Sequence, residues 1–402
     1  MNLEHRRKTA KITLVRENGA PVSAKEVRFD QINSQFLFGC GAFDTVKLVT
    51  TEDEAQKAML TDRMNKWRRL FNYGTLPFYW GQYEPTEGAP REEATLKAAN
   101  WLTDRGVKVK GHPLCWHTVC APWLMKYTND EILSRQLARI HREVGAFKGM
   151  IDMWDVINEV VIMPVFDKYD NAVTRLCKEH GRIGLVKKVF AVAREENPGA
   201  TLLINDFNTS SAYEILIEGL LEAGVTIDAI GIQSHQHQGY WGLEKLNDVL
   251  ERYSRFGLPI HFTENTLVSG HIMPAHIEDL NDYQIPSWPS TPEGEERQAR
   301  EAVEMYSTLF NHPLVEAITT WDPVDGCWLG APSGVMYADN TEKPVYHALM
   351  EKIHGDWETH ESAVTNADGT VELTGFAGEY TATVDGKTVS FTLDGSDQTM
   401  TV

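Results

Sequence analysis

Short apolar runs of strand character alternate along the chain with longer stretches whose apolar residues recur at helical spacing. The runs are Phe36 to Gly39, Leu70 to Tyr73, Val107 to Gly111, Met153 to Ile157, Thr201 to Ile204, Ala229 to Ile232, Pro259 to Phe262 and Ala317 to Thr320. Helices are predicted over Glu52 to Arg69, Glu92 to Arg105, Asp130 to Phe147, Val173 to Glu196, Glu214 to Ala223, Leu243 to Phe256, Glu293 to Phe310 and Val345 to Ile353. Eight such alternations are what a (β/α)8 TIM barrel requires, an α/β architecture with parallel strands inside and helices outside.

The two ends of the chain follow a different period. Ala10 to Ile32 reads as two alternating stretches around Glu17-Asn18-Gly19-Ala20-Pro21, a hairpin signal. After His354, the segment Gly369 to Val402 holds about four short strands punctuated by Asp-Gly and Gly turns. Barrel termini lie close together, so strands from both ends are expected to form one small accessory β-sandwich. Residues 1–34 and 356–402 would supply it, and residues 35–355 the barrel.

In such a barrel the chemistry sits at the C-terminal ends of the strands. The run Met153 to Ile157 ends on Asn158 and Glu159, and Pro259 to Phe262 ends on Thr263 and Glu264. Two Glu residues delivered by different strands to one rim are the minimum equipment for cleaving a glycosidic bond. Glu159 lies in an aromatic and apolar stretch that raises a carboxyl pKa, so it suits the acid/base role. Glu264 has His261 and His235 as donors to hold it ionised, so it suits the nucleophile.

Composition narrows the partners. The formal charge of −19 is spread along the chain, which disfavours nucleic acid and anionic membrane surfaces and favours a neutral substrate. No run approaches the length of a membrane span. The basic N-terminus, MNLEHRRKTAKITLV, is not followed by an apolar h-region, so the expectation is a cytoplasmic protein, or a secreted one if a leader has been removed. The five cysteines show no metal-ligand spacing and are expected as free thiols. No cofactor or metal is implied, and the Trp-rich strand exits suit the apolar faces of a sugar, since the chain carries 11 tryptophans and most lie near predicted exits.

The segments FLFGCGAFD, GHPLCWH, WDVINE, LLINDFN, GIQSH, HFTEN and TTWDPVDGCWL occur in this order over roughly residues 30 to 355. In them the chain resembles glycoside hydrolase family 10, the xylanase family. The resemblance implies a retaining β-glycoside hydrolase akin to an endo-1,4-β-xylanase, acting on xylan-derived or related short β-linked oligosaccharides, with Glu159 as acid/base and Glu264 as nucleophile. It further implies that Asn158 binds the 2-hydroxyl of the sugar being cleaved and that His112 and Trp116 line the same subsite. Gln233 and His235 would bridge to the nucleophile, and Trp321 and Trp328 would floor and close the subsite. His237, Tyr240 and Trp241 form a further polar and aromatic run, read as leaving-group contacts or as core.

Two departures bear on specificity. The family's Glu-Asn-x-x-Lys-Trp segment after strand two, which grips the sugar two sites from the cut, is replaced by Thr75 to Pro85. Phe78, Tyr79 and Trp80 could wall off that end and favour a short substrate or exo-action. After the nucleophile, the family's Glu-Leu-Asp becomes Glu264-Asn265-Thr266, so a hydroxyl replaces the charge that orients the bridging histidine. The long stretch from Thr266 to Glu293 is expected to act as a specificity lid. The alternatives are an exo-acting β-glycosidase of non-xylan specificity and a carbohydrate-binding barrel whose catalysis has decayed.

Overall fold

The computed structural model describes residues 3–402. Eight parallel strands close into a barrel: β3 (Leu37–Gly41), β4 (Tyr73–Pro77), β5 (Lys108–His112), β6 (Met153–Asn158), β7 (Thr201–Asp206), β8 (Ala229–Ile232), β10 (Ile260–Leu267) and β11 (Val315–Thr320). Pairing of β11 with both β3 and β10 shuts the ring. A two-residue strand, β9 (His235–Gln236), pairs with the extension of β10 beyond the rim. Helices cover the outside, among them Glu54–Leu70, Asn129–Ala146, Ala172–Glu196 and Pro292–Phe310. Among the described residues no helix is long and apolar enough to cross a membrane.

The second barrel strand starts later than the apolar pattern predicts. Leu60, Met64, Trp67 and Leu70 are buried at helical spacing, so Leu70 belongs to the preceding helix. Asn72 ends that run, because its amide donates to the carbonyls of Ser34 and Phe36 and its oxygen accepts from the N–H of Phe38. The strand therefore begins at Tyr73 and carries Thr75 and Leu76 inside the barrel wall.

Seven strands form two further sheets. One is β13 (Thr370–Phe376), β1 (Arg7–Val15) and β16 (Gln398–Thr401). The other is β12 (His360–Val364), β2 (Glu26–Ser34), β14 (Gly378–Val384) and β15 (Lys387–Leu393). They enclose their own core, with Ile12, Leu14, Phe29, Tyr380 and Leu393 fully buried. The expected N-terminal hairpin does not form. β1 pairs with β13 and β16, and β2 pairs with β12 and β14, leaving one bridge, Val15 to Pro21, between the two stretches. Alternation identified the strands, but each buries more apolar surface by facing the other across the core than by lying beside it.

These sheets brace the N-terminal face of the barrel. The Arg6 guanidinium donates to the carbonyls of Phe310, His312 and Val315 while lying over the Phe36 ring. Trp357 stacks on Phe310 with ring centroids 4.3 Å apart. All of these contacts lie at strand beginnings, opposite the strand exits that carry the polar residues.

Candidate active site

The backbone places the first carboxylate. Beyond β6 the chain turns at Glu159 with φ 56°, a left-handed conformation that non-glycine residues rarely adopt. Two hydrogen bonds hold the turn: the Glu159 N–H donates to the Asn205 carbonyl at 2.8 Å, and the Val161 N–H to Asp206 Oδ2 at 3.0 Å. Strain of this kind persists where surrounding contacts over-determine it, as they do at functional sites. The turn carries the Glu159 side chain to the barrel mouth, where Trp116 Nε1 donates to Oε2 at 2.9 Å and Gln233 Nε2 to Oε1 at 3.0 Å.

Glu264, inside the extended β10, is 4% exposed. Asn205 Nδ2 donates to its Oε1 at 2.7 Å, and His235 Nε2 lies 3.1 Å from Oε2. His112 Nε2 stands 3.9 Å from Oε1. Asn158 joins the two carboxylates into one network: its Oδ1 accepts from Asn205 Nδ2 at 2.8 Å and from Gln233 Nε2 at 3.1 Å. Each of those amides spends its second N–H on one of the carboxylates.

The two environments push the carboxyl groups apart. Burial is the largest influence on Glu159 and raises its pKa to about 8, outweighing the Gln233 and Trp116 donors, with the negative charges of Asp206 and Glu264 adding to the rise. Glu159 is part-buried, whereas Glu264 is buried. Burial also opposes ionisation of Glu264, but the neighbouring His112, His235 and Lys110 outweigh it and leave its pKa lowered. One carboxyl group is thus set to keep its proton and the other to lose it, the arrangement that assigns an acid and a nucleophile.

Aromatic rings line the gap. Trp321 stands edge-on to Phe43 and His112, with centroids 5.4 Å away in both cases. Trp328 packs at 4.5 Å from His235, and Tyr79 bridges His112 and Trp116. The structure thereby brings His112, Trp116, Asn158, Glu159, Gln233, His235, Glu264, Trp321 and Trp328 together.

Other candidates lie elsewhere. Of the three aromatics after strand two, only Tyr79 reaches the site. Phe78 is fully buried against Phe147 and Trp154, and Trp80 packs under the Arg139 guanidinium with its Nε1 on Glu84. β4 ends at Pro77 and a short helix, Trp80–Tyr83, begins three residues on, so the three rings leave the chain in different directions. His237 is buried behind His235, against Trp288 and Trp328. Trp241 lies under Lys245, and Tyr240 sits beside Glu304 of the outer helix layer, so both face that layer rather than a leaving group. His261, expected as a donor to Glu264, instead lies 3.9 Å from Glu316.

Thr266 occupies the position opposite His235 where the resemblance to glycoside hydrolase family 10 implies an aspartate. Its hydroxyl lies 3.4 Å from His235 Nδ1 and 3.2 Å from His237 Nδ1, and accepts from the Gln236 N–H at 3.1 Å. One hydroxyl proton serves two imidazoles, so one of the two rings must itself donate to Thr266.

Sequence reading passed over Asn205, although it ends an apolar strand as Asn158 does. It also missed Asp155, whose signal was a carboxylate inside the apolar run Trp154 to Ile157. Asp155 Oδ2 lies 2.7 Å from His112 Nδ1, which fixes the ring so that Nε2 faces Glu264. Among the described residues no cluster of three His, Cys, Asp or Glu is arranged to hold a metal ion.

The segment between β10 and the helix Pro292–Phe310 folds over the rim, where its Val268, Met273 and Trp288 form a small core with Ala331 from the loop after β11. It is fastened on three sides. Gln238 Nε2 donates to the Ile277 carbonyl at 2.7 Å, Trp328 Nε1 to Asn281 Oδ1 at 3.3 Å, and Lys168, from the loop after β6, pairs with Asp279 at 2.7 Å and Asp282 at 2.8 Å. The segment therefore runs from the seventh barrel strand to the loop after the fourth.

The family model described as glycosyl hydrolase family 10 matches residues 46–352. A β-1,4-xylanase of Dictyoglomus thermophilum is 31% identical over 238 residues, 56% of this chain and 62% of that protein. An endo-1,4-β-xylanase/feruloyl esterase of Xylanibacter ruminicola is 27% identical over 312 residues, 69% of this chain and 40% of that protein. The chain thus spans less than two thirds of the length of either relative. The solved structure of a GH10 protein from Paenibacillus barcinonensis superposes with a TM-score of 0.63 at 24% identity, covering 80% of this chain and 96% of that one, a likeness in fold.

Proposed function

The chain belongs to glycosyl hydrolase family 10, and on that premise we propose that it is a retaining β-glycosidase of the xylanase type that cleaves short β-1,4-linked xylose oligosaccharides. The observation that carries the reading is the pair of carboxyl groups, Glu159 and Glu264, in one amide network with opposite pKa shifts. Glu264 attacks the anomeric carbon while Glu159 gives its proton to the departing glycosidic oxygen. Glu159, now a carboxylate, takes a proton from the water that opens the resulting glycosyl ester, and the β-configuration is restored. The N–H of Asn158 that is not directed at Glu159 is available to a sugar hydroxyl, and Trp321 gives the ring an apolar floor.

Two features favour short substrates. The strand-two segment lacks the family's Glu-Asn-x-x-Lys-Trp side chains, its one carboxylate, Glu84, is tied to Trp80 and Arg142, and Phe78 and Trp80 are spent on the core. The lid spans the exits of the fourth to seventh barrel strands, the side from which a leaving group departs beside Glu159. The test is hydrolysis of xylobiose to xylohexaose, aryl xylosides and polymeric xylan by one preparation. The short substrates should turn over at least about tenfold faster than polymer per accessible bond. Equal attack on polymer would contradict the short-substrate reading, and cleavage confined to non-xylose glycosides would contradict the sugar.

The pKa shifts fix the pH dependence. Raising pH through the Glu159 value removes the proton that the leaving group needs, so kcat/KM should fall on a basic limb at or below about 8. Lowering pH protonates Glu264, whose lowered pKa puts the acidic limb beneath the ordinary glutamate value. An oligosaccharide pH profile that keeps rising beyond pH ~9 would contradict the assignment of the acid.

A further inference from the structure

Lys110 is a charged residue in the barrel wall where branched apolar side chains normally pack. It lies two positions before His112 on β5, so both side chains leave the same face, and it is 0% exposed. Its Nζ lies 2.7 Å from Asp155 Oδ2, also at 0% exposure, in an ion pair that lacks the geometry of a directed hydrogen bond. The same oxygen receives His112 Nδ1 at 2.7 Å. A buried pair of this kind contributes little net stability compared with apolar residues of the same volume, so stability alone does not account for it.

The charges are stacked in one column. Lys110 meets Asp155, Asp155 meets His112, and His112 Nε2 faces Glu264 Oε1 at 3.9 Å. With Lys110 present, Asp155 is balanced and can orient His112 without adding a net negative charge beneath Glu264. Without Lys110, two carboxylates would flank one imidazole in a medium of low dielectric, where charges are felt at long range. The other groups facing Asp155 do not replace the cation: Tyr73 donates its hydroxyl to Met153 Sδ, and the Tyr73 and Tyr213 phenols are held neutral by burial. Around Glu264, His235 and Asn205 are donors, Tyr79 is neutral, and Glu159 is the carboxyl group set to keep its proton.

We propose that Lys110 is a positioning residue for the nucleophile: its buried ammonium, acting through Asp155 and His112, keeps Glu264 in the carboxylate form that attacks the sugar. The inference rests on the reading of Glu264 as nucleophile. Lys110 touches neither the substrate nor the reacting atoms. Its influence on Glu264 agrees with the direction in which nearby cations shift that carboxyl group.

The test is the pH dependence of inactivation of the full chain by a dinitrophenyl 2-deoxy-2-fluoro-β-xylobioside, with the labelled peptide mapped. This leaving group needs no acid, so the low-pH limb reports ionisation of the nucleophile alone. In Lys110→Met the limb should move up by about one pH unit, a roughly tenfold slower reaction on its acid side, with the rates converging at higher pH. Lys110→Arg, which keeps the charge, should leave the limb in place. Where Lys110→Met does not fold, Lys110→Gln carries the same test. An unmoved limb, or a uniform slowing at every pH, would overturn the proposal. A label on any residue but Glu264 in the unmodified protein would instead overturn the reading on which it rests.

Discussion

Glu264→Ala should lose turnover by roughly 10⁴-fold or more, and by the same order for oligosaccharides and for aryl glycosides with excellent leaving groups. The group removed forms the covalent bond, and no leaving-group quality substitutes for it. Because Glu264 is buried beneath Asn205, His235 and His112, the thermal midpoint should be measured alongside. The same variant offers a stereochemical check. Azide entering the space left by the carboxylate would attack from that face and give the α-glycosyl azide, a single inversion. Retention of more than a few per cent of the activity by a folded Glu264→Ala protein would remove Glu264 from the mechanism.

Glu159→Ala should split the substrates. Cleavage of oligosaccharides, whose departing oxygen needs a proton, should fall by about 10²- to 10⁴-fold. Formation of the glycosyl ester from a dinitrophenyl glycoside should be nearly unaffected. Hydrolysis of that ester, which lacks its general base, becomes rate-limiting, so a burst of dinitrophenol and a lowered KM are expected. Azide here enters from the Glu159 side and attacks the ester, giving the β-glycosyl azide, with two inversions overall. Trp116 and Gln233 would lose their acceptor in this variant, but neither lies under the nucleophile, so the first chemical step is preserved. Equal losses on activated and unactivated substrates would contradict the acid/base role.

Much of the barrel could be read from the chain because a parallel strand buried on both faces is a short unbroken apolar run, and Ala229–Ile232 coincides with its prediction for that reason. The pattern failed where one apolar run serves two elements. Leu70 and Phe71 close a helix and Tyr73 opens a strand, and only the long-range hydrogen bonds of Asn72 decide where the break falls. Likewise, alternation in β1 shows that one face is buried but not what lies beside it, and its neighbours are drawn from beyond residue 369.

For the site, the legible signal was a polar residue at the end of an apolar strand, which drew attention to Asn158, Glu159, Gln233, His235 and Glu264. Those side chains converge because barrel closure brings strand ends together. What was not legible was direction. Phe78, Tyr79 and Trp80 are equally aromatic, and which of them faces the cleft is decided by the change from strand to helix between Pro77 and Trp80. Of the interior polar column only Asp155 left a signal, a carboxylate inside an apolar run, whereas Lys110 looks like a solvent-facing residue until the barrel closes around it.

The most direct test of the double displacement is ¹H NMR of the hydrolysis of a β-xylobioside, recorded before mutarotation scrambles the product. The β-anomeric signal should appear first and the α-signal should grow only later, at the rate of mutarotation. An α-signal that appears first would mean a single displacement by water, and would contradict a covalent ester on Glu264.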